Sequence, residues 1–523
     1  MEERPAGSRG GLFDRYLNGI ERVGNRLPHP IFLFVIISLV IVLVSAVCAA
    51  LGVSATGEVI SGGELKETTI TAVSLLTRDG LAYMFSNAVN NFVTYAPLGM
   101  VLVAMLGVGV AEQSGMIDAL LKQVIKVTPA RLMTPMIVFL GVMSNIASDS
   151  GYVILIPLGA MMFRACGRHP IAGLAAAFAG VSGGFSANLL IGTLDPMLAG
   201  ISQTAVSIID PTYEVAVLGN YWFLAASTVL ITFLGSSLTD NFVEPRLGKF
   251  GGELQGEEDG CLTVITDRER EGLKLAAAAA AIYCVVVAAC CVPANSFFRN
   301  ENGALLGHPA SPLLDGLMVL ISLLFFIPGV VYGVHVGTFR NDKDVAGAMG
   351  KAMSGMGPFL ALAFVSAQCV NYFSYTNLAT IVAVSGASFL KSIHIGLTPL
   401  LLLFIPFAAF VNLFMGSASA KWNILAPVFV PMFMLLGYSP ELCQLAYRIG
   451  DSATNLITPL MTYYAVIITY AQKYDKKAGV GTLAATMLPY SMCFLLFWTI
   501  MLVVWLSIGL PIGIGAGLYY PAV

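Results

Sequence analysis

From residue 30 onward the chain is a succession of eleven apolar runs separated by polar joints. They lie near 30–51, 84–111, 132–163, 171–194, 218–239, 275–293, 313–335, 358–385, 396–436, 441–471 and 485–510. The first holds 22 residues without a charge, long enough for a helix to cross a hydrocarbon core of ~30 Å. It is too long for a secretory signal and lacks a small-residue cleavage site, so it is expected to stay as an anchor. With 57% hydrophobic and 11% charged residues, the 523-residue chain has too few charges to coat soluble domains. Disorder, collagen and coiled coil fail on the same numbers. A net charge of −3 gives no sign of nucleic acid. The nine Cys include no C-x-x-C pair and the five His are scattered, so no disulfide, metal-binding or catalytic role is assigned to them. The fold class is an all-α polytopic membrane protein.

Two runs are interrupted. In 132–163 the stretch Ser144-Asn145-Ile146-Ala147-Ser148-Asp149-Ser150-Gly151 leaves apolar arms too short to span alone. In 396–436 the middle reads Gly416-Ser417-Ala418-Ser419-Ala420-Lys421-Trp422, after Asn412. Both are expected to be re-entrant helical hairpins, since irregular backbone at membrane depth must face a cavity or protein. For the second, two tilted full spans are the alternative.

Charge sets the orientation. With a cytoplasmic N-terminus, 21 Lys and Arg fall on the inner side and 4 on the outer, with Lys421 and Arg448 inside apolar runs. This bias gives nine spans and two hairpins of opposite entry, with the C-terminus outside. The expected organisation is an N-terminal segment with two scaffold spans (1–112), a first repeat core with its hairpin (113–241) and a cytoplasmic loop (242–274). Scaffold spans (275–356), a second repeat core (357–474) and a last span with an outside C-terminus (475–523) follow.

The two hairpins resemble each other. Ser148-Asp149-Ser150-Gly151 with Pro157 corresponds to Ser417-Ala418-Ser419-Ala420 with Pro427. Each precedes a helix with a polar break, Ser186-Ala187-Asn188-Leu189 and Ser452-Ala453-Thr454-Asn455-Leu456, at offsets of 266 to 269 residues. Similar units of opposed orientation are the signature of a secondary transporter with its site near the midplane.

Longer motifs carry a family resemblance. Gly173-Leu174-Ala175-Ala176-Ala177-Phe178-Ala179-Gly180-Val181-Ser182-Gly183-Gly184, Leu194-Asp195-Pro196, Gly416 through Trp422, Tyr447-Arg448-Ile449-Gly450-Asp451-Ser452, Gly479 through Leu483 and Leu488-Pro489-Tyr490 resemble the AbgT family, the p-aminobenzoyl-glutamate transporters. The resemblance covers nearly the whole chain. It implies a bacterial inner-membrane homodimer that carries p-aminobenzoyl-glutamate or related folate-pathway compounds. Export of sulfonamide-type antimetabolites is attributed to some relatives, so direction stays open.

Charges inside membrane segments mark candidate sites. Arg448 and Asp451 are three apart on one helix face, with Asn455 a turn beyond; a structural ion pair is the plain alternative. The expected substrate set is Ser417, Ser419, Trp422, Arg448, Asp451 and Pro459. In it the Arg448 fork grips a carboxylate and Trp422 stacks on the ring. Asp195, with no Lys or Arg between Arg168 and Arg246, is expected to be a proton-coupling carboxylate. Asn412, Asp451 and Asn455 offer oxygens to sodium, so the coupling ion is proton or sodium, and no other cofactor is expected. An ion channel is the rival class. No P-loop or nucleophile–base constellation supports ATP-driven transport or an enzyme.

Overall fold

The computed structural model describes residues 30–520, apart from 62–63, 148–150, 249–264, 301–302, 304, 306–310, 460, 462 and 477. The first hairpin's central Ser148, Asp149 and Ser150 therefore lie outside the described residues.

The described chain is built almost entirely of helices. In chain order the helices that position the site are α1 (Pro30–Ala50), α2 (Ala96–Gln113), α3 (Met116–Val127), α4 (Met133–Ser144), α5 (Ile156–Ala165), α6 (Pro170–Phe178), α7 (Leu194–Val206) and α8 (Tyr221–Leu238). There follow α9 (Asp267–Cys291), α10 (Leu317–Val336), α11 (Asp342–Gly355), α12 (Gly357–Tyr375), α13 (Leu378–Ser392), α14 (Leu397–Asn412), α15 (Ala418–Leu435), α16 (Pro440–Thr454), α17 (Tyr464–Gln472) and α18 (Val480–Ile508). Among the described residues seven helices are long and apolar enough to cross a membrane, and α11 with α12, bent by 45°, makes an eighth. One of these, α15, is a hairpin arm. The broken helices that start at Pro170 and Pro440 are shorter than these.

Three local features depart from the sequence expectation. A joint expected to be merely polar forms an antiparallel hairpin, β1 (Ser54–Ser61) on β2 (Glu64–Thr71), in register from Ser54 opposite Thr71 to Ser61 opposite Glu64. Thr, Val and Ile in the two strands favour extended backbone. The run 358–385 is two helices, because Asn377 adopts φ 60° at the start of α13 and Asn tolerates that left-handed turn better than most residues. The run 171–194 ends its helix in a π-turn at Ala179–Gly183, and Asp195 opens a separate helix, α7, rather than ending the run.

The hairpins enter from opposite ends. α4 and α5 have their base at Thr134 and Arg168, which bind Asp240 and Glu244 just past α8. α15 ends near Tyr438, whose neighbour Ser439 donates its N–H to the Leu518 carbonyl; there Glu441 accepts from Ala216 N–H, before α8 begins. The two bases thus sit at opposite ends of α8, a helix ~27 Å long at 1.5 Å per residue.

Small residues let these elements approach. All nine residues of α6 are buried. A Cβ on Gly180 would lie 2.3 Å from the Val138 carbonyl of α4, so only hydrogen fits there. In lipid, where apolar transfer gives little drive between helices, such close packing is a main source of association.

Candidate functional site

The break in each hairpin brings polar backbone and side chains to the middle of the molecule. α14 ends at Asn412, and α15 restarts at Ala418 with Ser417 as its N-cap, its Oγ accepting from Ala420 N–H. α4 ends at Ser144, and the chain resumes in a π-turn from Gly151. Between the two breaks lies a cavity of about 290 Å³. Asn145 and Tyr152 line it from the first hairpin, Ser417 and Ser419 from the second, and Thr193, Asn455 and Tyr463 from the helices behind. The Tyr152 and Tyr463 rings stack at 4.8 Å, 7° from parallel, presenting a flat aromatic pair to the cavity.

Four buried charged side chains, none of which lines the cavity, pair differently from the sequence expectation. Arg448 does not pair with Asp451. Its NH2 lies 2.7 Å from Asp195 Oδ1 and donates to the Ser186 carbonyl at 3.4 Å. Asp451 instead receives Lys421, whose Nζ also donates to Asn412 Oδ1. Asp195 is thus a partnered carboxylate, also accepting from Gly192 N–H at 2.8 Å. Helical spacing puts Arg448 and Asp451 on one face, but each turns to the helix opposite its own position. With Lys421, Asp451 and Arg448 nearly inaccessible, neutralisation within each pair is what makes burial tolerable.

Trp422 is wholly buried and is not among the residues that line the cavity. It stacks on Tyr447 at 4.5 Å and donates through Nε1 to Ser202, which donates to Gln444. Pro459 sits in the turn between Ile457 and α17, next to the wall residue Met461. Asn412 Nδ2 donates to the Asp451 carbonyl, Thr454 Oγ1 and Asn455 Oδ1 at 2.7 to 2.9 Å. The oxygens offered to sodium are therefore already engaged. Among the described residues no cluster of three or more His, Cys, Asp and Glu forms a metal site.

The two halves match in detail. Asn145 Nδ2 donates to the Gly184 carbonyl as Asn412 Nδ2 donates to that of Asp451, and Ser186 N–H donates to Ser452 Oγ across the centre. Sequence reasoning missed Tyr152, Tyr463 and Lys421. The signal for Lys421 was its place inside an apolar run; the tyrosines carried none. Arg448 Nε, Asn145 Oδ1 and Ser186 Oγ are buried without a partner among the described residues, which leaves polar valence for a ligand.

Opposed hairpins, broken helices beside them and a polar cavity where they meet define a polytopic membrane transporter. The sequence matches the AbgT putative transporter family over residues 15–520, and the chain belongs to that family. It is 36% identical over 517 residues to the p-aminobenzoyl-glutamate transport protein of Escherichia coli strain K12, covering 98% of each chain. The structure of Neisseria gonorrhoeae MtrF, described with a class of antimetabolite efflux pumps, is 46% identical with a TM-score of 0.90, over 96% of this chain and 100% of that one. The Alcanivorax borkumensis YdaH transporter, described as having an unusual topology, is 45% identical with a TM-score of 0.86, over 93% and 100%.

Proposed function

We propose that this protein carries p-aminobenzoyl-glutamate, or a related folate-pathway compound, across the bacterial inner membrane at the expense of a proton gradient. The observation that carries the reading is Arg448. It is a buried guanidinium held by Ser186 and Asp195, which directly follow Phe185 and Leu194 of the wall of the cavity of about 290 Å³, and its Nε has no partner among the described residues; such a fork suits a carboxylate. The Tyr152–Tyr463 pair offers a face to the benzoyl ring, and Ser417 and Ser419 offer hydroxyls to the amide or the second carboxylate. The name of the E. coli relative supports the same substrate. A cavity of this size is near the lower end for small-molecule sites, ~300 Å³, and so holds one such molecule and little water.

Asp195 is the proton carrier in this reading. Protonation would release Arg448 to a substrate carboxylate, and deprotonation would take it back. Proton loading and substrate binding are then linked through one guanidinium. The N-terminus is cytoplasmic, the C-terminus outside, and two copies form a homodimer with one pathway each. Efflux of neutral sulfonamides is the second reading, favoured by a cavity wall without charged side chains among the described residues and by the relationship to MtrF.

Purified protein in liposomes tests this. Labelled p-aminobenzoyl-glutamate should accumulate under an imposed pH gradient, and Asp195→Asn should abolish that accumulation while keeping binding within a few-fold. Transport driven by sodium alone, or undiminished in Asp195→Asn, would contradict the proton assignment. Ion conduction without substrate would mark a channel.

A further inference from the structure

The buried ammonium of Lys421 has no part in the function proposed above. Its side chain is fully inaccessible and does not line the cavity, although Ser417, Ala418 and Ser419 shortly before it in the chain do. Its Nζ contacts Asn412 Oδ1 at the end of α14 and Asp451 Oδ1 on α16, while Lys421 itself belongs to the second turn of α15. One cation therefore joins both arms of the second hairpin to the broken helix beside it. The titratable groups facing it are Asp451 and, on the same helix, Tyr447, whose hydroxyl is 3.3 Å from Asp451 Oδ1 and donates to the Ala418 carbonyl at 2.6 Å. Asp195 is taken up by Arg448.

An amide oxygen, a carboxylate oxygen and nearby carbonyls at the end of a helix are what a small hard cation seeks. Here the two side-chain oxygens point at nitrogen. The first half sharpens the contrast. Its matching asparagine, Asn145, makes the equivalent backbone bond to Gly184 but has its Oδ1 unpartnered among the described residues. The position that corresponds to Asp451 is a glycine there, so neither a lysine nor its counter-ion is needed.

We propose that Lys421 is a tethered cation: its ammonium fills the Asn412–Asp451 oxygen cage of the second hairpin in place of a free monovalent cation, and so locks α14, α15 and α16 into one moving unit. The cage is closed to sodium in the wild-type protein. Removing the ammonium while leaving space, as in Lys421→Ser, opens it to sodium or to methylammonium. Filling the space without charge, as in Lys421→Met, leaves Asp451 unpaired with nothing admitted.

Thermal unfolding of the purified full-length protein reads this directly, with sodium, lithium, methylammonium and choline chloride compared at equal ionic strength. The wild type should show no sodium-specific shift over choline. Lys421→Ser should have a lowered midpoint that sodium or methylammonium restores by on the order of 2–5 °C, and Lys421→Met a lowered midpoint that no cation restores. A merely structural lysine would show no such cation selectivity. A sodium-specific stabilisation of the wild type that Asn412→Ala removes would overturn the proposal. So would a folded Lys421→Ser insensitive to all three cations, or a Lys421→Met as stable as the wild type. Should Lys421→Ser fail to fold, the wild-type and Lys421→Met arms decide by themselves.

Discussion

Arg448 and Asp195 come from different halves of the chain, and their pairing decides how a buried guanidinium is kept ready for an anion. Arg448→Lys keeps the charge but loses the planar fork, so affinity for p-aminobenzoyl-glutamate should fall about tenfold or more in a calorimetric titration. Arg448→Ala strands Asp195, 9% exposed, at a cost of about 3–5 kcal/mol in stability; a variant of wild-type stability would deny that the pair is buried. The aromatic residues divide in the same way. Tyr463→Ala removes half of the stack facing the cavity and should weaken binding about tenfold, since a ring pair and its contacts contribute ~1 kcal/mol or more. Trp422→Phe loses the bond to Ser202 and should cost about 1–3 kcal/mol in stability with affinity unchanged. Equal affinity loss in both variants would place Trp422 on the substrate. The candidate residues were legible as charges within apolar runs, but their partners were not. Helical spacing allows Arg448 to meet Asp451, and only the packing of α7 and α15 against α16 shows that each has a better partner.

The breaks in the helices were visible as runs of small and hydroxylated residues, because Ser, Asn and Gly compete with helical hydrogen bonding. The crossings that hold them were not, since a glycine needed for contact looks like any other. Gly180→Ala forces a methyl against the Val138 carbonyl and should lower stability by about 1–3 kcal/mol. Gly99→Ala, at an exposed position of α2 with nothing within 4 Å of the added atom, should leave stability unchanged or raise it by up to ~1 kcal/mol. Parallel thermal melts compare them, and equal effects would remove the close crossing as the reason. In the loop after α7, Asp210 ties the end of that helix to Tyr520. Burial alone would raise its carboxyl, but hydrogen bonds from the Thr212 and Tyr520 side chains and the backbone of Thr212 and Tyr213 outweigh it and hold it below the usual range. A depressed folded-state value means its contribution is complete above about pH 4 and disappears as pH falls through that lower value. Asp210→Asn should therefore lower the melting midpoint at pH 7, and its gap from wild type should close in strong acid. A gap that persists there, or opens only there, would reverse the sign of the linkage.

Across the whole molecule, the opposed hairpins were the most readable feature and the β1–β2 ribbon the least. An offset repeat with a charge bias survives in sequence, whereas a short alternation among Thr and Glu is hidden in a polar joint. The charge bias also predicts an outside C-terminus, so a C-terminal alkaline phosphatase fusion should be active and a cytoplasmic fluorescent fusion dark; the opposite pattern would invert the orientation. Packing around the centre puts Asn145 and Tyr152 of the first hairpin and Ser417 and Ser419 of the second on one cavity, and alternating access then requires that this cavity open to each side in turn. Ser417 lines it from the second hairpin. The most direct measurement is labelling of Ser417→Cys, in a background without reactive cysteines, by a membrane-impermeant maleimide applied separately to inside-out and right-side-out vesicles. The account predicts labelling from both sides, slowed from both by p-aminobenzoyl-glutamate; labelling from one side only, or from both without protection by the substrate, would contradict it.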